Sequence, residues 1–406
     1  MSVWNASIDH VHWPAGGSST PFSTPFSLKA DQGKIWIRAD FLPAEQPSSW
    51  TELKLKGTNW AGFQSTTGCP HELWRHNVSS YADFLTNHNF NAVRLPLSAP
   101  VVTWALYGER WAAQAGSHDN CVEFAGCGAY RSNTQCGSYD GMLSLEILDD
   151  VINRLMARGI FVMLDLHTIA YPDANTGYWC TIGPPCTEEG ERLIFDAWAV
   201  LAQRYCTYPN VILADVFNEP HSADWPSWKS FVERIGTQIL NQCPRWLIVA
   251  QGIGGDGWCW GENLIGYATL PIILPVPNRL VLSVHAYGHF NFGYLIRDPW
   301  YPYNLPAVFD AHYGWLAHPP YNMAIIMGEW GGVWEATQWN GRTLRETGRF
   351  QIQMRDWLKT RGHSSFYWTL NDNSFRTGSL FADAHRAEKL EMLSELEATH
   401  STHLQE

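Results

Sequence analysis

Two glutamates close apolar, strand-like runs in this chain. Glu219 ends Val211-Ile212-Leu213-Ala214-Asp215-Val216-Phe217-Asn218-Glu219, and Glu329 ends Met323-Ala324-Ile325-Ile326-Met327-Gly328-Glu329. Desolvation disfavours a charged carboxylate beside buried apolar residues, so such groups are kept mostly where they have chemistry to do. A pair facing one cleft is what hydrolysis of a glycosidic bond needs: one carboxyl protonates the leaving oxygen and the other attacks the sugar carbon. A satisfied ion pair would explain either glutamate alone about as well. It explains both together, on the same kind of element, much less well.

Reactive groups at strand ends need a fold that gathers those ends. Strand-like runs are read at Leu53–Phe63, Ala92–Leu97, Ile160–His167, Val211–Glu219, Trp246–Gly252, Leu280–Tyr287, Ala324–Glu329 and Ser365–Leu370. Helical periodicity lies between them. It is clearest in Leu145, Leu148, Val151, Ile152, Leu155 and Met156, stopped by Gly159. Further helices are expected over Glu188–Cys206, Trp225–Gln242, Leu305–Ala317, Thr343–Arg361 and Ala387–His400, whereas 253–279 reads as loop. Eight such units predict an α/β fold, a (β/α)8 TIM barrel with long βα loops and a short N-terminal hairpin near Ile35–Arg38. Residues 1–30, rich in Gly, Ser, Thr and Pro, read as an arm or linker remnant, and 31–406 as a single catalytic domain. No Gly-rich phosphate turn follows any strand, which argues against dinucleotide chemistry on a doubly wound sheet.

A barrel carries its chemistry at the C-terminal ends of its strands. Those ends give Arg94, His167, Asn218, Glu219, His285, Tyr287, Glu329 and Trp368. Each has a bland explanation: Arg94 as a surface cation, His167 as a core histidine, Trp368 as a barrel plug. Eight polar or aromatic residues on one rim are harder to dismiss together. No carboxylate trio on successive strand ends would hold a cation, no G-x-S-x-G elbow supports acyl transfer, and no metal or cofactor is expected.

Composition fits a large globular enzyme for an uncharged substrate. The 406 residues are 45% hydrophobic and 16% charged, and the net charge of −12 argues against nucleic acid or an anionic membrane as partner. The 22 Trp and 16 Tyr exceed ordinary core needs and suit a cleft that stacks sugar rings. Trp60, Trp74, Trp179, Trp258, Trp260 and Trp330, within or just after the βα loops, are the platform candidates besides Trp368.

The ordered segments GTNWAGF, HELW, NFNAVRLPLS, GIFVMLDLH, DVFNEPH, NRLVLSVHAYG, IIMGEWGG and FYWTLNDNSFRTG resemble glycoside hydrolase family 5, the cellulase-like retaining hydrolases, over roughly residues 50–395. The resemblance implies that Glu219 is the acid/base and Glu329 the nucleophile. It also implies that Arg94 and Tyr287 keep Glu329 ionised to well below neutral pH, and that Asn218 bonds the sugar 2-hydroxyl. His167 and His285 would line the site, with Trp368 as platform beneath the reacting sugar. HELW, PNRLVLSVHAYG and LPAVFDAHYGWLA look most like the endo-β-1,4-glucanase branch, so a β-glucan oligo- or polysaccharide is the expected partner. The segment Thr377-Gly378-Ser379-Leu380-Phe381 departs from that branch, which leaves mannan, β-1,3-glucan or a glycolipid as other substrates for the same mechanism. An inactive glycan-binding barrel is the alternative from another class.

Nine cysteines, with no C-x-x-C pair, read as disulfides in an oxidising compartment, hence a secreted protein, although no apolar leader follows Met1. Cys180–Cys186 and a pair among Cys121, Cys127 and Cys136 are the expected bridges, with Cys206 as a buried free thiol.

Overall fold

In the computed structural model, residues 21–399 are described apart from 23–24, 41–48, 66, 116–133, 140, 170–187, 222, 256–257, 289–297, 336–337, 340–341, 344–346, 372–378 and 382–383. The chain opens with β1 (Phe26–Asp31) and β2 (Lys34–Ala39), antiparallel, with β3 (Thr51–Glu52) added to β2. The turn holds Gln32 at φ 51° and Gly33 at φ 76°. Two successive left-handed residues are what a tight hairpin between twisted strands demands. The first strand therefore begins inside the segment expected to be an arm, because Phe26 and Leu28 are needed against the barrel floor.

Eight parallel strands then close a barrel: β4 (Lys56–Asn59), β5 (Ala92–Ser98), β6 (Phe161–Thr168), β7 (Val211–Asp215), β8 (Leu247–Gln251), followed, after the antiparallel hairpin β9 (Ile253–Gly255) and β10 (Trp258–Asn263), by β11 (Leu280–Tyr287), β12 (Ala324–Gly331) and, past the short pair β13 (Gln338–Trp339) and β14 (Arg342–Thr343), β15 (Ser364–Trp368), which pairs back onto β4. All eight expected strands are present. The expected strand to Glu219 stops at Asp215, and the stretch read as loop, 253–279, contains the β9–β10 hairpin and a 3-10 turn at Ile265–Ala268.

The helices are α1 (Val78–Asn87), α2 (Ala99–Ala115), α3 (Ser144–Met156), α4 (Glu188–Tyr205), α5 (Trp225–Gln242), α6 (Leu305–His312), α7 (Thr347–Arg361) and α8 (Arg386–Ser394). α5 starts where expected because Asp224 caps it, its carboxylate accepting from the Ser227 N–H at 2.9 Å, with Pro226 in the first turn. The expected helix over Leu305–Ala317 breaks at Tyr313 into α6 and a 3-10 turn. α1 and α2 were not read from the sequence. The former begins Val-Ser-Ser, poor helix formers, and depends on the Asn77 cap and on burying Val78, Tyr81, Ala82 and Leu85.

The two faces of the barrel strands feed two cores. Val93, Leu95, Leu97, Val162, Leu164, Leu166, Ile248, Ala250, Leu282 and Val284 pack outward under the helices. Ala92, Phe161, Met163, Leu247, Val249, Val281, Ile326 and Phe366 point inward and form a floor with Leu28, Ile35 and Ile37 of the hairpin. Among the described residues, no helix is long and apolar enough to cross a membrane.

The cysteines correct two expectations. Cys136 is bonded to Cys69, tying the segment after β4 to the one before α3, and Cys206 is bonded to Cys243, pinning the end of α4 to the end of α5. Cys206 is therefore not a free thiol. The apolar pattern that packs it against the core also brings it to its partner, and no spacing rule pairs cysteines 37 apart just past the ends of two different helices. Cys121, Cys127, Cys180 and Cys186 lie outside the described residues. Peptide mapping of unreduced protein should recover both cross-linked pairs. The double substitution Cys69→Ser with Cys136→Ser opens a link across 67 residues and should lower the free energy of unfolding by about 2–4 kcal/mol in a denaturant titration.

Candidate active site

The inward alternation that builds the floor continues upward into polar residues. On β6 the inward series runs Phe161, Met163, Asp165, His167; on β5 it passes from Ala92 to Arg94, on β8 from Val249 to Gln251, and on β15 from Phe366 to Trp368. Side-chain period two on the strands puts this polar layer directly above the apolar one.

Arg94 is the centre of that layer. Its side chain is fully buried, and its guanidinium reaches Glu329 (Nη1 to Oε1, 2.6 Å), Asp165 (Nη2 to Oδ2, 3.0 Å) and Asp215 (Nη2 to Oδ2, 2.9 Å). It also donates to the Asn59 Oδ1 at 3.0 Å and the Asn218 Oδ1 at 2.8 Å. The planar fork serves five acceptors that a lysine's point charge could not. Burial works against its charge, but Asp165, Asp215 and Glu329 outweigh it, and Arg94 stays protonated.

Glu329 faces this cation because β12 carries an extra residue. Val284 pairs with Met327 but His285 with Glu329, and on the other side Met327 pairs with Ser365 but Trp330 with Tyr367. Both neighbours register one additional residue at Gly328–Glu329. Simple alternation from Ala324 and Ile326 would point Glu329 out toward the helices; the bulge turns it inward. A side chain at 328 has no room, since a Cβ there would lie 2.5 Å from the Ser283 Oγ and 2.9 Å from the His285 Nε2.

Glu219 arrives from beyond β7, with its backbone at φ 43°. Its Oε1 lies 2.8 Å from the His285 Nδ1, which stands 3.6 Å from the Glu329 Oε2. One oxygen of each glutamate and a ring nitrogen of His285 all fall within 4.8 Å of one another. The Tyr287 hydroxyl donates to the Glu329 Oε2 at 2.8 Å, the His167 Nδ1 sits 2.7 Å from the Asp165 Oδ2, and the His167 ring stacks against Trp368 at 5.8 Å between centroids. Glu219, His285 and Glu329 could also ligate a metal ion, but the guanidinium 2.6 Å from Glu329 already supplies a fixed cation there.

Burial, then the charge of Glu329, pushes the Glu219 carboxyl well above the ordinary carboxylate range. Glu329 is raised as well, by burial, against the pull of Arg94, His167 and the Tyr287 hydroxyl. Arg94 thus pulls Glu329 in the expected direction, toward the ionised form, without cancelling the effect of burial. Burial drives His285 well below its usual value, so its ring is neutral, and keeps the Tyr287 hydroxyl protonated as a donor.

A family model described as "Cellulase (glycosyl hydrolase family 5)" matches residues 51–374. The chain belongs to glycosyl hydrolase family 5. It is 30% identical over 350 residues to an endoglucanase of Paenibacillus polymyxa, covering 82% of this chain and 80% of that protein. It is 30% identical over 376 residues to the major extracellular endoglucanase of Xanthomonas campestris pv. campestris, covering 86% and 68%. The solved catalytic domain of the Xanthomonas enzyme superposes with a TM-score of 0.66 at 29% identity, over 85% of this chain and 95% of that one. An endocellulase structure from Pyrococcus horikoshii has the same fold, with a TM-score of 0.71 at 24% identity over 93% and 100%. Membership makes this chain a glycoside hydrolase, and the structure gathers Arg94, His167, Asn218, Glu219, His285, Tyr287, Glu329 and Trp368 at one end of the family's barrel.

The tryptophan expectations fare less well. Trp60 and Trp330 are fully buried, packed on Tyr81 at 4.7 Å and on Tyr367 at 5.2 Å, and have no face to offer a sugar. Their place in the apolar core beneath the helices explains why they are aromatic. Trp74 is 47% exposed beside Arg75. Trp179 lies outside the described residues, as do the side chains of Trp258 and Trp260 on β10. Asn59, Asp215 and Gln251 were missed because the expected strands run past them, whereas the strands end there, and Asp165 because it lies inside its strand. Their signal was a buried polar residue interrupting an inward apolar series.

Two outcomes follow from this geometry. Gly328→Ala should lower kcat/KM by about a hundredfold, the scale of a 1 Å misplacement, and destabilise by about 1–3 kcal/mol through overpacking, read by steady-state kinetics and thermal melts. The second concerns Asp165 and Asp215, each with its Oδ1 buried and unbonded. Burial pushes both up to about 7 from an ordinary 3.8. The native state thus holds protons that the unfolded chain releases, so their contribution is fully present below about pH 4 and lost as pH rises through 7. Urea titrations from pH 4 to 7 should show stability falling, and Asp165→Asn should flatten that slope.

Proposed function

We propose that this chain is an endo-acting β-1,4-glucanase that cleaves cellulose or mixed-linkage glucan with retention of configuration. The observation that carries the mechanism is the approach of one Glu219 oxygen and one Glu329 oxygen to within 4.8 Å. Retaining enzymes hold their carboxyls about 5–5.5 Å apart, whereas inverting ones leave about 6.5–9.5 Å for a water. Glu329, oriented by Arg94 and Tyr287, attacks the anomeric carbon. Glu219, whose raised pKa keeps its proton available, gives that proton to the leaving glycosidic oxygen. The glycosyl ester to Glu329 is then opened by a water that Glu219 deprotonates, and the sugar leaves with its original configuration. Asn218 lies beside both Arg94 and His167 and would bond the sugar 2-hydroxyl, with Trp368 as platform.

The substrate class is supported by the names of the relatives, endoglucanases from Paenibacillus and Xanthomonas, and by solved complexes of the Pyrococcus endocellulase with cellotetraose. An extracellular location is supported by the two disulfides and by the Xanthomonas relative's description as extracellular.

Glu329→Gln should abolish turnover on every substrate. Glu219→Gln should cut kcat/KM steeply on cello-oligosaccharides yet spare aryl cellobiosides whose phenol leaves without a proton. The wild-type kcat/KM profile should be bell-shaped, its alkaline limb set by deprotonation of Glu219. Proton NMR of a fresh digest should show the β-anomer first; the α-anomer as first product would overturn the assignment. A panel of β-glucans, mannan and xylan reads the substrate, and hydrolysis confined to mannan would replace the glucan reading.

A further inference from the structure

Glu219 does not sit on a strand. β7 ends at Asp215, and the chain bends through Val216, Phe217 and Asn218 before Glu219 stands at φ 43°. The left-handed region costs a non-glycine residue about 1–2 kcal/mol, so the position needs an outside hold. Its backbone N–H donates to the Gln251 Oε1 at 2.9 Å.

Gln251 is the last residue of β8 and is fully buried. Its backbone carbonyl accepts from the Trp228 indole N–H at 2.8 Å, and its side-chain Nε2 donates to the Asp215 Oδ2 at 2.8 Å. The amide can face only one way: its oxygen must meet the Glu219 N–H and its nitrogen the Asp215 carboxylate, since a flip would set donor against donor. Gly261, at φ 70°, keeps that flank clear, as a Cβ there would lie 2.7 Å from the Gln251 Oε1. The Asp215 Oδ2 in turn accepts from the Arg94 Nε at 3.1 Å, and the Arg94 Nη1 holds Glu329 at 2.6 Å. A continuous string of buried bonds therefore joins the backbone under one glutamate to the carboxylate of the other.

We propose that Gln251 is a positioning residue for Glu219: it fixes the backbone from which the proton-donating carboxyl projects and registers it, through Asp215 and Arg94, against Glu329. This rests on the roles proposed above for the two glutamates. The separation of the two carboxyls is then set by rigid links through the barrel wall, and no direct contact between them is needed to hold it.

The test compares Gln251→Met, which keeps the length and removes both hydrogen bonds, with Glu219→Gln. Both are measured on a cello-oligosaccharide and on an aryl cellobioside with an activated phenol. Gln251→Met should lower kcat/KM on the oligosaccharide by about a hundredfold and on the aryl substrate by less than about tenfold, with the loss in kcat and KM little changed. Equal losses on the two substrates, or no loss, would overturn the positioning role while Glu219→Gln still discriminates between them. If Glu219→Gln itself fails to discriminate, the acid/base assignment falls instead. Should Gln251→Met not fold, as circular dichroism would show, Gln251→Glu replaces it. That variant keeps an oxygen for the Glu219 N–H and loses the amide donor to Asp215, and an equal loss on both substrates would again overturn the proposal.

Discussion

One buried guanidinium organises the interior of this barrel. Arg94 stands among Asp165, Asp215 and Glu329, with Glu219 close by, so a single positive charge faces several carboxylates in a place water does not reach. Removing the guanidinium would leave uncompensated buried carboxylates and cost about 3–5 kcal/mol, so the arrangement depends on this one side chain. Burial, which the single cation only partly offsets, raises the acidic groups and leaves a proton available near neutrality. The chemistry and the destabilisation have one source.

The barrel accommodates this by stratifying its interior. At the floor, Phe161, Met163, Val249, Val281 and Phe366 pack with the hairpin residues Leu28, Ile35 and Ile37 into a dry layer. Above it the residues on the same strand faces turn charged, and at the rim they turn aromatic and imidazole. A low-dielectric floor strengthens every electrostatic interaction above it. The hairpin thus contributes to the site without approaching it, because it keeps water out from beneath.

Most of this was legible as pattern. The eight strands, the barrel and the rim residues all follow from apolar runs that end in polar side chains. Three things were not. Asp165 lies inside an apolar run, where a scan of strand ends does not look, and Asp215 and Gln251 end strands that stop short of the ends the pattern suggests. The partners of Cys136 and Cys206 are 67 and 37 residues away, and only the packed helices and loops make them neighbours. Buried and cleft tryptophans carry the same letter, and Trp60 and Trp330 differ from a sugar platform only in which core they face.

The extra residue in β12 makes the identity of the glutamate at 329 insufficient by itself. What matters is the parity of the count from Ala324. At the present odd count only the bulge brings the carboxylate inward, whereas a chain one residue shorter between Ile326 and Glu329 would reach the same facing by plain alternation. Strand length and bulge therefore act together: flattening the bulge without shortening the strand would turn the carboxylate into the helical layer and leave the cleft without it.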